Sequence, residues 1–128
     1  MKKLLLFLSV LSLAMTACKG DGDVAPKSEI KLAYEVITSS GKWFGEYFDA
    51  SGKRIQTNPL EQESGWKYEF KVAEAPFQMF LNATSSCSCF GTASSPDVTI
   101  NFYVNDKLVK TERNNWAKGV TSIVYDVN

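Results

Sequence analysis

The stretch 66-WKYEFKV-72 decides the fold class, because its residues alternate strictly between apolar and charged. A period of two is typical of a β-strand that has one buried face and one face in water. The stretch therefore predicts a strand with four residues toward a core and three toward solvent: Trp66, Tyr68, Phe70 and Val72 inward, and Lys67, Glu69 and Lys71 outward.

Outside this stretch, the same period recurs in 30-IKLAYEVI-37 and in 98-VTINFYV-104, where Ile100 and Phe102 point inward. The loop Asn105-Asp106 predicts a two-residue hairpin, and residues 49–52 end in a glycine suited to positive φ. The one-sided alternation favours an all-β, antiparallel β-sandwich of seven to eight strands over a small barrel. Five shorter runs supply the other strands: residues 43–48, 53–57, 77–83, 107–113 and 120–127.

The N-terminus has the pattern of an export signal. A positively charged start precedes a twelve-residue, largely apolar run at residues 4–15. A helix needs about 20 apolar residues to cross a bilayer, so this run fits a secretory signal and not a stable span. The chain is therefore expected to divide into three parts: a signal peptide at 1–17, a flexible tether at 18–27 and a single β-sandwich domain at 28–128.

Cys18 follows Met15-Thr16-Ala17, a stretch that resembles a bacterial lipobox, in which the cysteine thiol receives a diacylglycerol and the signal is cut just before it. Several acyl chains hold a protein firmly on a bilayer where one chain binds only marginally. We expect Cys18 to be the lipidated first residue of the mature protein; the alternative is a plain signal peptide and a free thiol. The next residues, 19-KGDGD-23, resemble an acidic surface-export tag. We expect an outer-membrane lipoprotein, on the periplasmic face or the cell surface.

Charge and residue types argue against several classes of function. The chain has 14 basic and 14 acidic residues, and removing the two lysines of the signal leaves 12 against 14, which gives no support for nucleic-acid binding. The absence of histidine excludes Ser-His and Cys-His nucleophiles and most zinc or copper sites. The sequence also lacks a P-loop, a GxSxG motif and a dinucleotide fingerprint. We expect no enzyme activity, no cofactor and no metal site.

Aromatic residues are the best candidates for a ligand or partner surface, because exposed rings beside amides can stack on sugars or form protein interfaces. In 43-WFGEYF-48, alternation puts one aromatic pair on each face of the strand, so one pair is expected outside the core. The alternative is that these rings all belong to the core of two packed sheets. The candidates are Trp43, Tyr47, Phe80, Tyr103 and Trp116.

Cys87 and Cys89 lie one residue apart in 85-SSCSCFG-91, between two predicted strands. Disulfides persist in exported domains, but so small a ring restrains few unfolded conformations, by about 1.6 kcal/mol before strain. A bridge here would be strained and reducible. Three interpretations stay open: a Cys87–Cys89 disulfide, two free thiols, and a redox or metal role.

The segment 98-VTINFYVNDKLVKTERNNWAKGVTSIVYDV-127 resembles the C-terminal part of the mycobacterial small membrane protein (MmpS) family and its lipoprotein relatives. The stretches 34-YEV-36 and 65-GWKYEFKVAEAPFQMFLNA-83 fit the same order of strands. The chain departs from the family by its Asn105-Asp106 turn, where the family often has Asp-Gly, and by its Cys-Ser-Cys loop. The resemblance implies an immunoglobulin-like sandwich and an accessory role beside membrane exporters.

Two function classes follow from these observations. The first is a non-catalytic envelope lipoprotein that acts as an interaction or accessory module of a membrane-associated complex. The second is a lipoprotein that binds a glycan or another envelope molecule. A contiguous aromatic cleft would favour the second class, and a flat apolar patch or an open sheet edge would favour the first.

Overall fold

The computed structural model of the chain describes residues 28–57, 60–86, 97–114 and 121–128. These residues form β-strands and no helix, and therefore contain no helical segment able to cross a membrane. The described residues hold nine strands: β1 Ile30–Thr38, β2 Lys42–Phe48, β3 Arg54–Gln56, β4 Gln62–Glu63, β5 Trp66–Val72, β6 Phe77–Ser85, β7 Val98–Val104, β8 Lys107–Asn114 and β9 Thr121–Val127.

The strands form two antiparallel sheets that pack face to face. Sheet 1 has the order β5-β1-β7-β8, and sheet 2 has the order β3-β2-β6-β9, with β4 also paired to β2. The predicted all-β antiparallel sandwich is confirmed, and each of the eight predicted runs forms a strand; the two-residue β4 brings the described strands to nine, where seven to eight were predicted. The chain shares the two-sheet architecture of immunoglobulin-like domains, but the order of its strands within the two sheets differs from the immunoglobulin order.

The core lies between the sheets and is built from the inward phase of each long strand. Phe70, Ile100 and Phe102 are buried, as their alternation predicts. Trp66 is only half-buried, in contrast to its predicted burial, because it lies at the start of the edge strand β5, where its ring lines a cleft open to solvent. Its ring packs against Trp43, with 5.1 Å between the ring centroids.

Two buried polar groups in the core have no hydrogen-bond partner among the described residues. They are the hydroxyl of Tyr34 and the indole Nε1 of Trp43. The Tyr34 ring packs against Phe102 and Phe70 at centroid distances of 5.0 and 5.3 Å. Burial raises the pKa of Tyr34 well above its usual range, because the phenolate form would lose its hydration.

The turns between strands have the backbone that their residues predict. Asn105 and Asp106 both adopt positive φ, at 49° and 62°, as a two-residue hairpin of the I′ kind requires. Gly52 has a φ of 76°, and Asp49 Oδ1 accepts hydrogen bonds from the backbone N–H groups of Ser51 and Lys53, at 2.9 and 3.0 Å. The conformation of each turn is therefore determined by its own residues.

Candidate binding surfaces

Strand β2 sorts its four aromatic residues onto the two faces of sheet 2. Trp43 is fully buried, so the prediction that it contributes to a binding surface is wrong. The opposite phase carries the charged residues Lys42 and Glu46, and it also carries Phe44 and Phe48. Because charged side chains must reach water, this phase faces solvent, and the two phenylalanines therefore lie on the outer face of sheet 2.

A row of apolar side chains crosses the outer face of sheet 2; we call Phe48, Phe80 and Val124 the outer row. The rings of Phe48 and Phe80 pack at a centroid distance of 5.0 Å. Phe80 lies opposite Val124 in the ladder between β6 and β9, and Val124 is 40% exposed. Across β2, β6 and β9, the outer row spans about 10 Å at the usual strand spacing.

Polar and charged side chains surround the outer row. Arg54 lies opposite Phe48 in the ladder, and its guanidinium carbon is 5.3 Å from the centroid of the Phe80 ring. The Arg54 guanidinium also forms an ion pair with Glu46 at 3.5 Å. An apolar centre with an arginine and a polar rim is the usual anatomy of a protein interface.

A cleft lies on another side of the sandwich, between the edge of sheet 2 and strand β5. Its volume is about 160 Å³. Tyr47 and Trp66 form its aromatic wall, with 5.2 Å between their ring centroids. The complete lining is Tyr47, Ile55, Gln56, Thr57, Leu60, Gln62 and Trp66. The predicted candidate Tyr47 is thus half-buried and lines this cleft.

Tyr103 lies on the outer face of sheet 1, where it belongs to a polar network. Its hydroxyl donates a 2.7 Å hydrogen bond to Glu35 Oε2, and Asn101 Nδ2 donates a 2.9 Å bond to the same oxygen. These bonds lower the pKa of Glu35 from its usual value, with the Asn101 bond contributing most. The Lys67 ammonium lies 5.6 Å from the centroid of the Tyr103 ring. Tyr103 therefore already contacts Glu35 through its hydroxyl and Lys67 through its ring.

The candidates are not brought together into one site. Phe80 is in the outer row, Tyr47 lines the cleft and Tyr103 lies on the opposite sheet. Trp116 and the cysteines Cys18, Cys87 and Cys89 lie outside the described residues. The sequence predictions missed Phe48 as a surface residue, although the charges that share its phase indicate its direction.

The side chains on these surfaces provide groups suited to binding. The described residues hold no group of three or more Cys, Asp or Glu side chains placed to bind a metal ion. Phenylalanine rings, an arginine and amide groups provide stacking, apolar contact and hydrogen bonding. Neither a known protein-family model nor a curated protein matches this chain.

Proposed function

We propose that this chain is a non-catalytic lipoprotein of the outer membrane that acts as an interaction or accessory module of a membrane-associated complex. The lipobox-like residues before Cys18 support the anchor, which would hold the domain on the periplasmic face or at the cell surface. The observation that carries the interaction role is the outer row, in which two half-buried phenylalanine rings and an exposed valine lie together on the solvent face of sheet 2.

The outer row favours a protein partner because of its shape and its rim. Two packed, half-buried phenylalanine rings and an exposed valine form the row, and none of the three residues lines the cleft. Flat apolar area rimmed by charge is typical of protein–protein contact, whereas small molecules bind in concave sites.

The cleft supports a second candidate, in which the domain binds a glycan or another envelope molecule. Two aromatic rings beside Gln56 and Gln62 provide the stacking and amide groups that sugars need. Its volume of about 160 Å³ is smaller than that of a typical small-molecule site, which is about 300–1,000 Å³. The cleft fits one side chain or one sugar ring, and for this reason we rank it second.

The test compares two variants that each place a charge on an exposed apolar residue. Val124→Asp changes the outer row, and Leu108→Asp changes β8, where the leucine is 49% exposed. Each tagged, lipidated protein is crosslinked in intact cells and recovered by its tag. We expect Val124→Asp to reduce recovery of specific crosslinked partners at least about tenfold, as a charge in an interface hot spot does. Leu108→Asp should match the wild type.

Equal recovery of the same partners by Val124→Asp and the wild type would show that the outer row is not the interface. Thermal melts of both variants check that the fold is retained, since surface changes shift stability by only about 0.5 kcal/mol. The second candidate is tested separately by titrating oligosaccharides against tryptophan fluorescence, with Leu60→Asp as the cleft variant. A sugar-dependent change that Leu60→Asp abolishes would favour ligand binding.

A further inference from the structure

The two sheets end in edge strands, and most of these edges carry a feature that discourages further pairing. Strands β3 and β4 are only three and two residues long. Strand β8 pairs with β7 through a register irregularity and places Lys110 and Glu112 in its inward phase. On β9, the carbonyl oxygen of Val124 accepts a 2.8 Å hydrogen bond from Lys110 Nζ. Short strands, bulges, inward charges and covered edges are the usual protections against edge-to-edge association.

Strand β5 is different, because it is long and regular. Its seven residues pair with β1 from Ile30↔Val72 to Val36↔Trp66 without a register shift. No other described strand pairs with its second edge. Lysines often protect such an edge by repulsion, but here Glu69 lies between Lys67 and Lys71.

The backbone hydrogen bonds identify which groups face the open edge of β5. Asn105 N donates to Lys31 O at 2.7 Å, and Ser39 N donates to Asp97 O at 3.2 Å, so the odd-numbered residues of β1 bond to β7. The even-numbered residues of β1 therefore bond to β5, because successive residues of a strand direct their backbone groups to opposite sides. Their partners on β5 are also even-numbered. Three residues are thus left with N–H and C=O groups at the open edge: Lys67, Glu69 and Lys71.

The charges at this edge are self-complementary in an antiparallel arrangement. If two β5 strands pair about a two-fold axis at Tyr68, Lys67 of each copy lies opposite Glu69 of the other. An axis at Glu69 would instead place Lys67 opposite Lys71 and Glu69 opposite Glu69, so like charges would face each other at all three positions. Opposite charges on directly facing residues stabilise a strand pair, and like charges destabilise it.

The inward side chains favour the same register over one centred on Phe70, which also pairs a lysine with Glu69. Trp66 and Tyr68 are half-buried, whereas Phe70 and Val72 are already buried, with 8% and 6% of their surface exposed. An axis at Tyr68 places one Tyr68 beside the other and Trp66 beside Phe70 of the second copy. Aromatic cross-strand pairs of this kind add to sheet stability.

We propose that β5 is a homodimer interface, at which β5 of a second copy adds antiparallel with Lys67 opposite Glu69. The two copies form one continuous eight-stranded sheet from their two sheets 1. The interface is isologous, since the same strand contributes from both sides. It lies on the opposite sheet from the outer row, so the homodimer does not depend on whether a partner binds at the outer row.

Charge reversal tests the pairing with the full lipidated chain in detergent, by sedimentation equilibrium at a solvent density that matches the detergent. The wild type is expected to dimerise as its concentration rises. Glu69→Lys makes the edge all positive, and the double variant Lys67→Glu, Lys71→Glu makes it all negative. Each variant alone should dimerise at least tenfold more weakly, and an equimolar mixture of the two should recover the dimer. The control Glu112→Lys, on the edge strand β8, should dimerise like the wild type.

The register is tested by mixing ¹⁵N-labelled and unlabelled wild-type chains and coupling amines to carboxylates with a carbodiimide, which takes up the water released. An amide between Lys67 and Glu69 that joins a labelled to an unlabelled peptide supports the proposed pairing. A wild type that stays monomeric through the concentration series overturns the proposal. So does a Glu69→Lys variant that dimerises like the wild type, or mixed-label crosslinks found only at other residues.

Discussion

Gly45 allows β2 to approach its neighbours closely on both sides. A side chain at this position would overlap the backbone carbonyl of Asn82 on β6. On the other side, Thr57 Oγ1 accepts a 2.7 Å hydrogen bond from the Gly45 N–H, and the Thr57 N–H donates to the Gly45 carbonyl at 2.8 Å. Glycine within a strand commonly marks such a close backbone approach.

We predict that Gly45→Ala destabilises the domain by about 3 kcal/mol, because the added methyl must displace backbone and not a flexible side chain. The control is Gly41→Ala. Gly41 has a φ of +85° and nothing within 4 Å of an added methyl, so only backbone strain of about 1 kcal/mol applies. Chemical denaturation of both variants measures the difference. Equal free energies of unfolding would contradict the assigned role of Gly45.

The residue-scale features that the sequence predicts are the local ones. Asn105, Asp106 and Gly52 could be assigned to turns because turn geometry depends on a few adjacent residues. Gly45 could not, because its constraint comes from Asn82, which is distant in sequence. The open Nε1 of Trp43 is likewise a property of the packed core and not of its neighbours in the chain.

At the scale of strands, Tyr103 on β7 and Asn101 on the same strand hold the Glu35 carboxylate of β1. These bonds lower the pKa of Glu35, so its ionised form is favoured more in the folded than in the unfolded chain. Its contribution to stability is therefore present above the ordinary pKa of 4.5 and is lost as the pH falls through the lowered folded-state pKa.

We predict that Tyr103→Phe raises the pKa of Glu35 toward its ordinary value, because one of the two bonds to the carboxylate is removed. The loss in free energy of unfolding should be largest near neutral pH and should shrink once Glu35 is protonated. NMR titration of the carboxyl carbon and denaturation at several pH values measure both effects. Tyr125→Phe, on β9, is the control and should leave the Glu35 titration unchanged. A Glu35 titration that Tyr103→Phe does not move would refute the network.

The period of the sequence predicts that the long strands exist. It does not predict which face of β2 points inward, and it does not reveal the shortest strand. The two-residue strand β4 has no period to detect. In β2 both phases hold two aromatic residues, so hydrophobicity alone does not orient the strand; Lys42 and Glu46 do. The outer row also depends on the β6–β9 register, which pairs Phe80 with Val124. That register follows from the three-dimensional arrangement of the strands.

At the scale of the whole molecule, the proposed anchor predicts the behaviour of Cys18→Ser. Without the thiol there is no site for the diacylglycerol, so we expect the processed variant to leave the membrane fraction. Cell fractionation with detection of the domain measures this outcome, and Cys87→Ser serves as the control that should stay with the membrane. A processed Cys18→Ser protein that remains in the membrane fraction would refute the anchor.

The order of strands in sheet 1 also determines when the sandwich can assemble. Leu32 of β1 pairs with Val104 of β7, which is 72 positions later in the chain (104 − 32). Sheets built from such distant pairs fold slowly, in milliseconds to seconds, because long loops must close first. In a chain delivered N-terminus first, β1 has neither ladder partner until β5 and then β7 arrive. During that interval its unpaired edges can join other chains, so the chain is most prone to aggregation before β7 is available.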